Sequence, residues 1–85
     1  MPGTILLQHD WKDYDKRKMR EKRSTMMFCC KQPWEARYLA SKIVQLYPDI
    51  TIDAVHRQIL LCCMDMPQPV AREEFINQVM LKLIR

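Results

Sequence analysis

Apolar positions fall into a clear helical rhythm only after Lys31. Ala36, Leu39, Ala40, Ile43, Val44 and Tyr47 recur at three- and four-residue intervals, the spacing that puts side chains on one helix face. Pro33 suits a first helical position because its missing N–H would be unpaired there anyway. Pro48 disfavours helical backbone at Tyr47, so the pattern predicts a first helix over about 33–47. Thr51 is placed to cap a second helix over about 52–65, whose stripe runs Ile52, Val55, Ile59, Cys62, Cys63 and Met66. Pro67 and Pro69 break the chain before a third helix over about 70–84, with Phe75, Ile76, Val79, Met80 and Leu83 facing inward. Glu73, Glu74 and Asn77 face outward, and Lys82 and Arg85 complement the helix's negative end. The predicted fold is all-α, a compact three-helix core over residues 32–85 preceded by a charged N-terminal arm, residues 1–31.

The arm is patterned differently. Ile5–Leu7 and Met26–Cys30 are short apolar runs that could pair as a two-stranded ribbon. Between them, Asp10 could cap a helix on which Trp11, Tyr14 and Lys18 share a face, whereas Lys16–Arg23 carries six bases and one acid. Like charges four residues apart repel, so that end is expected to fray.

Charge sharpens this division. The chain is formally +4, but residues 1–31 hold eight bases and four acids while residues 32–85 hold six of each. The excess therefore belongs to the arm. A neutral core argues against a helix-turn-helix whose third helix would present Arg72, Glu73, Asn77, Gln78 and Lys82 to DNA, since Glu73 and its neighbour Glu74 would repel phosphates. A polyanion would instead meet the basic arm through Lys16, Arg17, Lys18, Arg20, Lys22 and Arg23, with Trp11 and Tyr14 available for stacking; the alternative is a solvated arm whose two aromatics pack on the core.

Little points to catalysis. One glycine, Gly3, excludes a glycine-rich phosphate cradle. Ser24, Ser41, His9 and His56 show no nucleophile–base spacing, so neither an enzyme nor a small-molecule substrate is expected. Cys29, Cys30, Cys62 and Cys63 form two adjacent pairs without the C-x₂-C spacing of zinc sites, although His56 and Cys63 share a helix face. No metal or cofactor is expected. The thiols are expected to be reduced and the protein cytoplasmic, with no membrane span. The turn Leu46-Tyr47-Pro48 resembles the Met-Phe-Pro turn of ubiquitin-binding three-helix domains, but Tyr47 replaces the phenylalanine. The family's paired leucines have no counterpart in the third helix, and no family is assigned.

One apolar run carries more information. Ile59–Met64 spans the whole circumference of the second helix, and a helix that is apolar all round is expected to be buried all round. Its outer side must meet either the arm's apolar segments or a second protomer. The expected function is therefore a small non-enzymatic interaction or assembly protein, a homodimer or a partner of another protein. Its surface would comprise Leu60, Leu61 and Met64 on the second helix and Met26, Met27 and Phe28 in the arm. The alternative is a nucleic-acid-associated protein acting through Lys16–Arg23.

Overall fold

The computed structural model describes residues 4–84, so Arg85, expected at the helix's negative end, lies outside the described residues, as does Gly3. Helices α1 (Thr4–Leu7) and α2 (Lys12–Arg20) precede strand β1 (Met27–Phe28). Helices α3 (Pro33–Leu46) and α4 (Ile52–Asp65) follow, then strand β2 (Val70–Ala71) and helix α5 (Arg72–Leu83). The chain is mostly helical, with α3, α4 and α5 packed against one another close to their expected positions. Pro33 opens α3, and the Thr51 hydroxyl accepts the Ala54 backbone N–H at 3.2 Å to cap α4.

The third predicted helix starts two residues late. Val70 and Ala71 are drawn into an antiparallel pair with β1, Met27 opposite Ala71 and Phe28 opposite Val70, and the Arg72 N–H extends the pairing to the Met26 carbonyl. The ribbon expected between Met26–Cys30 and Ile5–Leu7 is thus corrected: its partner is Val70–Ala71, and Ile5–Leu7 is helical. An isolated pair of such short strands is marginal. This one is anchored by Phe28, whose ring stacks on Phe75 with centroids 4.3 Å apart.

The N-terminal segment does not project. Leu6, Trp11, Tyr14 and Phe28 belong to the same buried cluster as Leu39, Ile43, Val55, Ile59 and Phe75. Trp11 packs edge-on to Tyr14, and its indole N–H donates to the Leu6 carbonyl at 2.9 Å. Arg72 of α5 lies over the rings of Trp11 and Tyr14 and bonds Asp15 at 3.0 Å. Helix α2 is thereby fixed to both α3 and α5. Helix α2 runs through Arg20, and the chain turns at Lys22, whose φ is 58°. Repulsion along α2 is relieved because Lys18 and Arg23 bond Glu35, and Arg17 bonds Glu21.

The cysteine expectation is also corrected. Cys30 and Cys63 form a disulfide, while Cys29 and Cys62 are free thiols. Adjacent cysteines do not pair, but the fold brings the segment after β1 to the last turns of α4, leaving these two Cα atoms 5.9 Å apart. The expectation of reduced thiols was one support for a cytoplasmic location, and that support is removed. No helix among the described residues is long and apolar enough to cross a membrane.

Candidate functional site

Two surfaces combine exposure with distinctive chemistry, and a buried ionic cluster sets the geometry of one of them. Glu35 sits at the first turn of α3 on the same row as Leu39 and Ile43, four and eight residues on, so its carboxylate points into the core and is 0% exposed. A buried carboxylate needs charged or polar partners. Its Oε1 accepts from the Tyr14 hydroxyl at 2.7 Å, the Lys18 ammonium at 3.0 Å and the Cys29 backbone N–H at 3.1 Å. Its Oε2 accepts from the Arg23 guanidinium. Lys18, 1% exposed, also donates to the Met27 carbonyl at 2.9 Å. Burial, reinforced by the hydrogen bond to Glu35, pushes the Tyr14 phenol well above its ordinary range. The cluster ties α2, the start of α3 and the β1 segment together.

With α2 held this way, its opposite face borders a groove of about 980 Å³ shared with α3. Both helices contribute rows at the same helical spacing: Asp13, Lys16, Arg17 and Arg20 from α2, and Trp34, Arg37, Tyr38 and Ser41 from α3. The Arg17 guanidinium lies 4.4 Å from the centre of the Trp34 ring and bonds Glu21 at 3.3 Å. Four cations face the groove against one carboxylate, and Lys16, Arg20 and Arg37 form no ion pair among the described residues. Exposed Met19 stands on its edge.

The eight residues read from the sequence as a polyanion surface are therefore divided. Lys16, Arg17, Arg20 and Lys22 are exposed, and Arg23 is partly covered. Lys18 is spent on Glu35 inside the protein, while Trp11 and Tyr14 are core residues whose rings cannot stack on a base. Arg37, Trp34 and Tyr38 complete the groove but were missed. They repeat at the spacing of 13, 16, 17 and 20, a signal that becomes meaningful only once both rows are known to line one groove. Asn77, read as outward, is buried; Glu73, Glu74, Gln78 and Lys82 are exposed.

No family model, curated protein or solved structure matches this chain.

The second surface is the outer side of α4. Leu60 is 62% exposed, Leu61 42% and Met64 75%, and Ile52, expected in the buried stripe, is exposed too. The segments that could have covered them go elsewhere: α1 packs on α3 and α5, and β1 packs on β2 and α5. Asp53 and Arg57 stand on the same side of α4, one charge of each sign. Lys82 reaches Asp65 at 3.4 Å, bringing the last turn of α5, with exposed Leu81, beside the last turn of α4. Of the arm residues expected on an interaction surface, Met26 is exposed, Met27 is half-buried in the ribbon, and Phe28 is corrected to a core position against Phe75. His56 is exposed, and Cys63 is held in the disulfide. No three metal-ligating side chains cluster among the described residues.

Proposed function

We propose that this protein is a non-enzymatic assembly protein that self-associates through the outer face of α4. The observation that carries this reading is the exposure of Leu60, Leu61 and Met64 in a chain whose N-terminal apolar segments pack on other elements. Apolar patches on the order of 300–600 Å² often mark contact sites on small proteins. A second copy fits this face because Asp53 and Arg57 leave it without a single sign of charge, so two copies meet without repulsion. The α2 face, with its excess of cations, would repel its own copy.

A standard interface buries roughly 800 Å² per partner, more than three side chains and Leu81 supply. The association is accordingly weak and concentration-dependent. Sedimentation velocity across a wide concentration series tests it: the sedimentation coefficient rises with concentration, and Leu60→Glu with Met64→Glu holds it at the monomer value. A wild-type monomer at every concentration overturns the proposal, and so does a dimer unaffected by the two substitutions. Both positions are solvent-facing, so the variants retain the fold, which circular dichroism checks.

A further inference from the structure

The groove between α2 and α3 shares no lining residue with the assembly face, and its lining defines a ligand chemistry. Lys16, Arg20 and Arg37 present cationic groups without ion-pair partners among the described residues. Tyr38 and exposed Met19 supply apolar surface between the cations. Cations around an apolar centre complement a segment bearing carboxylates around an apolar side chain.

We propose that this groove binds an acidic amphipathic peptide segment of a partner protein. Its carboxylates pair with Lys16, Arg20 and Arg37, and an apolar side chain rests against Met19 and Tyr38. The rows 13, 16, 17, 20 and 34, 37, 38, 41 line one groove between two helices, a form that receives a helical segment. Asp13 stands among the lining residues, so a carboxylate of the segment is repelled beside it and favoured beside Arg20 and Arg37.

Nucleic acid fits the same groove less well. Single strands are held largely by bases stacked on open aromatic rings. Here Trp34 is buried beneath Arg17, while Trp11 and Tyr14 are in the core. Lys18 and Arg23, which would add to phosphate attraction, are committed to Glu35. Met19, 68% exposed, offers an apolar contact that a phosphate backbone does not use.

The test is fluorescence anisotropy with the full chain and a panel of labelled amphipathic peptides. Their glutamates are set at i, i+3, i+4 and i+7 around one leucine or phenylalanine, and single-stranded and duplex oligonucleotides of matched charge run in parallel. Acidic peptides should bind at micromolar concentrations. Arg20→Glu with Arg37→Glu should weaken them at least tenfold, while Lys31→Glu, a reversal outside the groove, leaves binding within twofold. Replacing the peptide's apolar residue by alanine should also weaken binding, and the Trp34 indole N–H resonance should shift on titration. Failure of every acidic peptide to bind overturns the proposal, as does binding insensitive to the groove reversal. Tighter binding of the oligonucleotides, lost on the same reversal, assigns the groove to nucleic acid and also overturns it.

Discussion

Replacing Glu35 by glutamine should be among the most damaging single changes in this protein. The variant keeps the side chain's shape and removes only its charge and one acceptor. Tyr14, Lys18, Arg23 and the Cys29 N–H all donate to this one carboxylate. An amide offers one oxygen to those four donors and turns an NH₂ toward at least one of them. Arg23 is partly exposed and already bonds Glu21 at 2.7 Å, so it can adjust. Lys18 cannot: at 1% exposure its ammonium would be left in the core without a counter-charge. Removing one partner of a buried pair costs about 3–5 kcal/mol. A chain of this size has a total stability of roughly 4–13 kcal/mol, so the loss is a large fraction of it. At about 4–8 °C per kcal/mol, Tm should fall by at least ~12 °C. Urea unfolding followed by far-ultraviolet circular dichroism measures the loss directly.

Lys18→Met provides the decisive comparison. It leaves Glu35 with Arg23, Tyr14 and the Cys29 N–H, and it fills the same space with an apolar chain. Its cost should therefore be lower, about 1–2 kcal/mol, and the double variant should cost less than the two singles together by about 2 kcal/mol. Because the pair is buried, these differences should hardly change between low and high salt. A Glu35→Gln loss below about 1 kcal/mol, or strict additivity in the double variant, would refute the claim that this carboxylate anchors α2.

Two other predictions concern the same junction. Reducing the Cys30–Cys63 bond frees a loop with a sequence separation of 33, which by chain entropy costs about 4 kcal/mol; thermal unfolding with and without reductant measures it, and an unchanged Tm contradicts a structural role. Tyr14 makes the fold sensitive to alkali. Its folded-state phenol is held protonated above its ordinary pKa of 10.0, chiefly by burial, whereas the unfolded chain loses that proton near 10. The folded state then binds more protons than the unfolded state, so stability is full below pH ~10 and declines as pH rises further. Tyr14→Phe forfeits a hydrogen bond, about 1–1.5 kcal/mol, yet should flatten that decline by up to one proton. An unchanged slope above pH 10 would contradict the reading.

The three main helices were legible because each has an uninterrupted apolar row and a local boundary signal: Pro33 and Pro48 for α3, Thr51 for α4, the two prolines before α5. Those signals are local, so the chain displays them directly. What escaped were pairings between distant segments. Nothing near Val70 says that it will pair with Phe28, and nothing near Cys30 points to Cys63. Glu35 is the instructive case: it reads only as part of the helix entry behind Pro33, although it also stands on the row of Leu39 and Ile43, which go to the core. Trp11, Tyr14 and Lys18 share one face of α2, whose two rings the sequence leaves open to stacking on bases or to packing on the core; the core takes them, and Lys18, read with the solvated cations, goes in with them. A lysine in line with two aromatic rings and an acid in line with two apolar ones are each unfavourable alone. Together they are a buried pair.

That pair changes what the basic segment can do. Read along the sequence, Lys16–Arg23 is a single block of like charge with phosphate as its natural partner. In three dimensions it has two sides with opposite roles. Lys18 and Arg23 turn toward Glu35 and fasten α2 to α3, while Lys16, Arg17 and Arg20 turn toward Arg37 across the groove. The fastening is what gives the groove a fixed width, because α2 has only nine residues and a helix that short is marginal alone in water. Breaking the buried pair should therefore weaken ligand binding at the groove without touching any residue that lines it. Lys18→Met, the milder of the two lesions, allows that coupling to be measured in a folded protein: acidic-peptide affinity should fall with it while the exposed cations remain unchanged. Equal affinity in wild type and Lys18→Met would mean that the groove forms without the Lys18–Glu35 bond, and that the remaining contacts of Tyr14, Trp11 and Arg72 hold α2 by themselves.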